Sequence, residues 1–136
     1  MAKPRAFISF DFDYNKTDRD LFVGQMKNSK TPFEIEDWSS KHKLPQKEWE
    51  NLINQKINKC NMLIVLVGKY THNATGVKKE ITFSHNNNVP VFGIYIDGAT
   101  KTTELPSGLQ RNRTINWEWH QISEKIDLCM NEGKNK

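Results

Sequence analysis

The chain has 136 residues, with 20 Lys and Arg against 16 Asp and Glu, for a formal net charge of +4. A chain of this size buries about two-thirds of its unfolded surface, which suffices for one core and not for two domains. Hydrophobic residues at 36% and aromatics at 10% exclude a disordered chain. The longest apolar run, Met62 to Val67, is too short to span a bilayer.

A single domain is expected over residues 1–130, with 131–136 as a flexible tail. Met1 to Arg5 lead straight into a strand-like segment. No apolar stretch of signal-peptide length comes first, so a cytoplasmic chain is expected. Cys60 and Cys129 stand far apart without a metal-ligand neighbour. They read as reduced thiols, one of them semi-buried, and no metal site is expected.

Ala6 to Phe10 is a short run of strand formers, closed by the polar cluster Asp11 to Asn15. Thr17 or Asp18 is the expected N-cap of a helix that carries Leu21, Phe22, Val23 and Met26 as far as Lys30. Pro32 to Glu36 alternates apolar and charged residues, as an edge strand does. A loop from Asp37 to Leu44 leads to Pro45, which suits the first turn of a helix. On that helix Trp49, Leu52, Ile53, Ile57 and Cys60 fall on one stripe.

Met62 to Val67 is apolar on consecutive residues, the pattern of a strand covered on both faces. A helix should start at Gly76 or Val77, with Ile81, Phe83 and Ser84 inward, and end in Asn86-Asn87-Asn88. Val89 to Ile96 is the next buried strand, and Asp97 to Arg113 a long loop. Thr114-Ile115-Asn116 reads as a short last strand before a closing helix from Trp117 to Met130.

Strand and helix alternate, which implies right-handed crossovers and a parallel sheet. The expected architecture is an α/β, flavodoxin-like three-layer sandwich. Its five strands should run in the order 2-1-3-4-5, with helices on both faces. Ligands of such sheets bind beyond the carboxyl ends of the strands, near the point where strand order reverses. That places the loops after Phe10, Gly68 and Ile96 around one crevice.

No Gly-x-Gly-x-x-Gly follows the first strand and no Gly-Lys-Thr occurs anywhere, which argues against a Rossmann phosphate turn and a P-loop. A phosphoacceptor of the receiver type would need an Asp where this chain has Gly68-Lys69. Asp11 and Asp13 suit either the orientation of a ribose or amide, or a turn that caps the next helix. Glu80 has two readings as well. It is a helix stabiliser kept ionised by the positive helix end, or a carboxylate that supports the cation formed when a glycosidic bond breaks. Lys78 and Lys79 read as solvated surface, or as contacts to a ligand phosphate.

Arg5-Ala6-Phe7-Ile8-Ser9-Phe10-Asp11-Phe12-Asp13 resembles the opening of Toll/interleukin-1 receptor (TIR) domains. It is most similar to the bacterial TIR-like branch of the Thoeris antiphage systems. The segments Pro32 to Ser39, Asn61 to Gly68, Tyr70-Thr71-His72, Ala74 to Ile81 and Ile115 to Trp119 resemble that branch in the same order. The resemblance implies a TIR fold and, in enzymatic members, cleavage of the nicotinamide–ribose bond of NAD.

The family's catalytic glutamate sits in a Trp-Val-x-x-Glu-Ile pattern. That pattern matches Gly76-Val77-Lys78-Lys79-Glu80-Ile81, so Glu80 inherits the catalytic role, with Gly76 in the place of Trp. By the same resemblance Phe10 and Asp11 lie on the nucleotide side. Asp37 to Pro45 matches a mobile covering loop, in which Trp38 reads either as a stacking partner for a ring or as simple packing. His72, at the cleft edge, reads either as a residue that orients an acceptor or as a plain surface histidine. NAD is then substrate, no resident cofactor is implied, and the product is an ADP-ribose-derived, cyclic nucleotide signal for a separate effector.

Self-association through TIR surfaces is also implied, with a weak or latent monomer. The competing reading is a non-catalytic interaction scaffold. Deoxyribosyltransferase-like nucleoside cleavage ranks below it. Nucleic-acid binding is disfavoured because Lys41, Lys43, Lys78, Lys79, Lys101, Arg111 and Arg113 are scattered among acids.

Overall fold

A computed structural model describes residues 4–28, 34–36 and 45–132. Its strands are β1 (Arg5–Ser9), β2 (Glu34–Glu36), β3 (Met62–Val67), β4 (Val91–Tyr95) and β5 (Thr114–Asn116). They form one sheet in the order β2-β1-β3-β4-β5, and every neighbouring pair is parallel. The helices are α1 (Phe12–Asn28), α2 (Gln46–Asn58), α3 (Thr75–Asn86) and α4 (Trp119–Glu132). Among the described residues no helix is long and apolar enough to cross a membrane.

The period of two in the strands sorts their side chains between two cores. Ala6, Ile8, Met62, Ile64, Leu66, Phe92 and Ile94 face α1 and α4, meeting Phe22, Met26, Ile122 and Ile126. Phe7, Leu63, Val65, Val67 and Val91 face α2 and α3, meeting Ile53, Ile57, Val77 and Ile81. β3 is buried along its whole length, as its unbroken apolar run requires. Gly93 lets the loop before β5 close onto the sheet, since a Cβ there would lie 2.8 Å from Leu109.

Several boundaries differ from the sequence expectation. α1 begins at Phe12, not after Thr17 or Asp18, with a break in helical geometry at Asn15. The reason is local. The Asp11 carboxylate accepts the Asp13 N–H at 3.1 Å and so serves as the N-cap. Asn15 is drawn out of helical geometry while its side chain, itself buried, donates to Asp18 at 3.1 Å.

α3 begins at Thr75, slightly earlier than expected. α4 starts at Trp119, and it runs through Asn131 and Glu132, which are helical rather than part of a tail. Both cysteines are fully buried, correcting the semi-buried expectation. Cys60 lies in the α2/α3 core and Cys129 in the α1/α4 core, on opposite sides of the sheet.

Candidate functional site

Ser9 ends β1 and lies opposite Val65 of β3, beside the place where strand order reverses. Its side chain falls on the α2/α3 side because Phe7, two residues earlier, does so too. On α3 the inward stripe is Val77, Glu80, Ile81 and Ser84, the spacing that normally carries only apolar residues. The two elements meet through one short hydrogen bond: the Ser9 hydroxyl donates to Glu80 Oε1 at 2.6 Å. The Glu80 side chain is thereby fixed at the carboxyl end of the sheet.

Glu80 is only 3% exposed, and burial pushes its carboxyl up to about 8, against the opposing pull of the Ser9 hydrogen bond. The expectation of a carboxylate kept ionised by the helix end is therefore corrected. Desolvation in the second turn, facing the sheet, outweighs the helix dipole, which fades beyond the first turn. A carboxyl that titrates near neutrality can serve as acid, base or electrostatic partner according to what binds beside it. Behind it, Ser84 donates to the Glu80 backbone carbonyl at 3.0 Å.

A second buried polar cluster ties the start of α1 to the loop after β3. The Thr71 hydroxyl accepts the Gly68 N–H at 2.8 Å and lies 3.5 Å from Asn15 Oδ1. Gly68 is required here, because a Cβ would fall 2.7 Å from the Asn15 amide. Beside Gly76 the wall is formed by the Trp49 indole of α2, 3.9 Å from where a Cβ would sit. Lys79, expected to be solvated, is half-buried and pairs with Glu50 of α2.

The remaining sequence candidates are dispersed. Phe10 turns its ring into the α1/α4 core, with the Arg19 guanidinium 5.9 Å from its centroid, on the face opposite Glu80. Asp11 is buried at the same strand end, and its carboxylate caps α1. His72 occupies a 3-10 turn, Thr71–Asn73. Its Nε2 lies 3.8 Å from Glu104, and its Nδ1 is buried with no hydrogen-bond partner. Trp38 and most of the covering loop lie outside the described residues.

Among the described residues no group of three or more His, Cys, Asp and Glu gathers to hold a metal ion. The sequence reading does not single out Ser9, Asn15 or Thr71. The available signal for Ser9 is a lone hydroxyl inside an otherwise apolar strand.

A family model described as Thoeris protein ThsB, TIR-like domain, matches residues 7–101, a span that holds Ser9 and Glu80. Two solved structures are similar in fold. One is a prokaryotic SEFIR domain, with a TM-score of 0.54 at 15% identity, covering 94% of this chain and 90% of that one. The other is the TIR domains of the activated Roq1 resistosome, which directly recognises the pathogen effector XopQ. That likeness has a TM-score of 0.51 at 12% identity, covering 94% of this chain and 69% of that one. At these identities the likeness extends to the fold alone. No curated protein matches.

Proposed function

The chain belongs to the Thoeris ThsB TIR-like domain family, and on that premise we propose that it is an NAD-processing enzyme of antiphage defence. Some TIR-domain proteins are NAD-cleaving enzymes. In this reading the chain breaks the nicotinamide–ribose bond and makes an ADP-ribose-derived, cyclic nucleotide signal that a separate effector reads in the cytoplasm. NAD is the substrate and no resident cofactor takes part. The observation that carries the reading is the buried Glu80 carboxyl, held by Ser9 at the carboxyl end of β1 and titrating near 8.

The chemistry follows from that environment. Ahead of substrate binding the carboxyl is largely protonated at neutral pH, because burial outweighs the Ser9 hydrogen bond. The nicotinamide ring of NAD is a cation, and its arrival supplies the missing counter-charge and favours loss of the Glu80 proton. The carboxylate then faces the ribose while the C1′–N bond breaks. The bonding pair leaves with nicotinamide and neutralises its ring, and positive charge grows at C1′. A fixed anion in a dry site stabilises that charge far more than water does.

The ribosyl cation is then captured by a hydroxyl or ring nitrogen of the same molecule, which gives the cyclic product, or by water. In this reading Asp11 lies on the nucleotide side, with Phe10 backing the strand end from the α1/α4 core, and Trp38 covers the site. His72 orients the acceptor. TIR domains self-associate into assemblies, and the proposed active form is such an assembly of this chain.

The test incubates the full chain with NAD, with and without lysate from phage-infected cells, and follows nicotinamide and new ADP-ribose species by chromatography. Glu80→Gln keeps the shape and removes the charge, and is expected to lower nicotinamide release at least about 100-fold. Release and defence unchanged in Glu80→Gln would remove the enzyme reading and leave the non-catalytic scaffold.

A further inference from the structure

Two large aromatic side chains stand outside both cores and touch each other. Tyr14 in the first turn of α1 is 63% exposed, and Tyr70 in the loop after β3 is 53% exposed. Their ring centroids lie 4.7 Å apart with planes tilted by 39°. More than half of each residue therefore stays open to solvent even with the other against it. Single exposed apolar residues are ordinary on protein surfaces, but a paired aromatic patch is a feature with a use.

Tyr14 in the first turn of α1 and Tyr70 in the loop after β3 both lie just beyond the carboxyl ends of β1 and β3, the strands flanking the reversal point. Each precedes a buried polar residue, Asn15 or Thr71, and those two side chains approach to 3.5 Å. Thr71 is further fixed by the Gly68 N–H at 2.8 Å. The rings are thus carried on a latched base rather than on two independent loops. A preorganised aromatic surface loses little freedom when a flat ligand settles on it. Tyrosine suits such a place, with an apolar face for a ring and a hydroxyl that stays wet.

We propose that Tyr14 and Tyr70 form a stacking platform for the adenine base of a dinucleotide whose nicotinamide ribose lies at Glu80. The assignment rests on the NAD reading, which supplies a ligand with two flat rings. One ring must sit by the buried carboxyl, where the bond breaks. The other takes the solvent-facing pair. Base–aromatic stacking is worth enough that removal of a ring weakens binding roughly 10-fold or more.

The test titrates AMP into the full chain by calorimetry, for wild type, Tyr14→Ala, Tyr70→Ala, Tyr14→Phe and Tyr70→Phe. Leu128→Ala, which trims an exposed side chain on α4, controls for general surface effects. Each alanine variant is expected to weaken AMP about 10-fold while each phenylalanine variant and Leu128→Ala hold wild-type affinity. In NAD turnover the alanine variants should raise KM far more than they lower kcat. Wild type that binds no AMP, alanine variants that bind it unchanged, or phenylalanine variants as weak as alanine would each overturn the platform. So would alanine variants that alter only concentration-dependent self-association, which would make the patch a contact between copies.

Nicotinamide release by wild type is followed in parallel, so the two readings fail separately. Cleavage with unaltered KM in the alanine variants removes the platform and keeps the enzyme. Lost AMP binding in those variants, without any cleavage by wild type even when lysate from phage-infected cells is added, keeps the platform and removes the enzyme.

Discussion

Helices α3 and α4 press on opposite faces of one sheet, and their inward stripes are spent differently. α4 offers Ile122, Ile126 and Cys129, an apolar set that joins the α1/α4 core. α3 offers Val77, Glu80, Ile81 and Ser84 at the same kind of spacing, and two of those four are polar. A leucine at position 80 would add buried apolar surface; the carboxyl gives that up and takes on a desolvation penalty instead. The contrast shows which side of the sheet is built for holding the fold and which carries a group kept at some expense of stability.

The sharpest way to break the contrast is to neutralise Glu80 and read stability against pH. In the unfolded chain the group titrates at its ordinary 4.5, and in the folded chain at about 8. Its protonated contribution to folding is complete below pH 4.5 and is lost as pH rises through 8. Glu80→Gln cannot ionise. It is therefore expected to match wild type below pH 4.5 and to exceed it by roughly 3–5 kcal/mol above pH 8. Urea unfolding at pH 4.5 and pH 8.5 gives the comparison. An equal gap at the two pH values would mean that Glu80 is not desolvated, and the difference between the helices would vanish.

The matching change on α4 is Ile126→Ala. Ile126 is buried in the α1/α4 core, and its truncation is expected to cost about 3 kcal/mol from lost burial and the cavity left behind. The same urea series should show that loss at both pH values, since no titrating group is involved. A loss confined to one pH would place a group that titrates between those pH values in the α1/α4 core, where burial pushes the Cys129 thiol up to about 11, and would undo the comparison from the other side.

Most of the framework was legible because it is written in periodicity. Met62 to Val67 could only be a strand covered on both faces, and Ile53 and Ile57 could only be the inward edge of a helix. Glu80 was legible as a residue through its motif, but its state was not. Sequence places it in α3, whereas its protonation depends on how completely the sheet and α2 exclude water from it.

Asn15 shows the other limit. Its amide is packed against Gly68 and close to Thr71, more than fifty residues away in sequence, and that long-range contact accompanies the break in α1. No local pattern records that contact, whereas the start at Phe12 rests on the Asp11 cap, a local signal that competed with Thr17 and Asp18. Phe10, expected inside the first strand, directly follows β1, and side-chain alternation sends its ring to the face away from Glu80.

The finest adjustment within the α3 side lies at Ser9. Its hydroxyl bonds to Glu80 Oε1 at 2.6 Å and is the one influence that lowers the carboxyl against burial. Ser9→Ala removes that donor while leaving the backbone of β1 free to pair with β3 as before. The Glu80 carboxyl then moves further above its ordinary range, and the ionised fraction at neutral pH falls. If cleavage runs through the carboxylate, nicotinamide release at pH 7 should fall by roughly 10-fold, the usual worth of a hydrogen bond to a charged group. The acid limb of kcat/KM, where activity rises as the carboxyl loses its proton, should move to higher pH, with activity recovering above it. A merely structural role for Ser9 would lower activity equally at every pH, so the shape of the profile, not its height, decides whether the hydroxyl tunes the carboxyl.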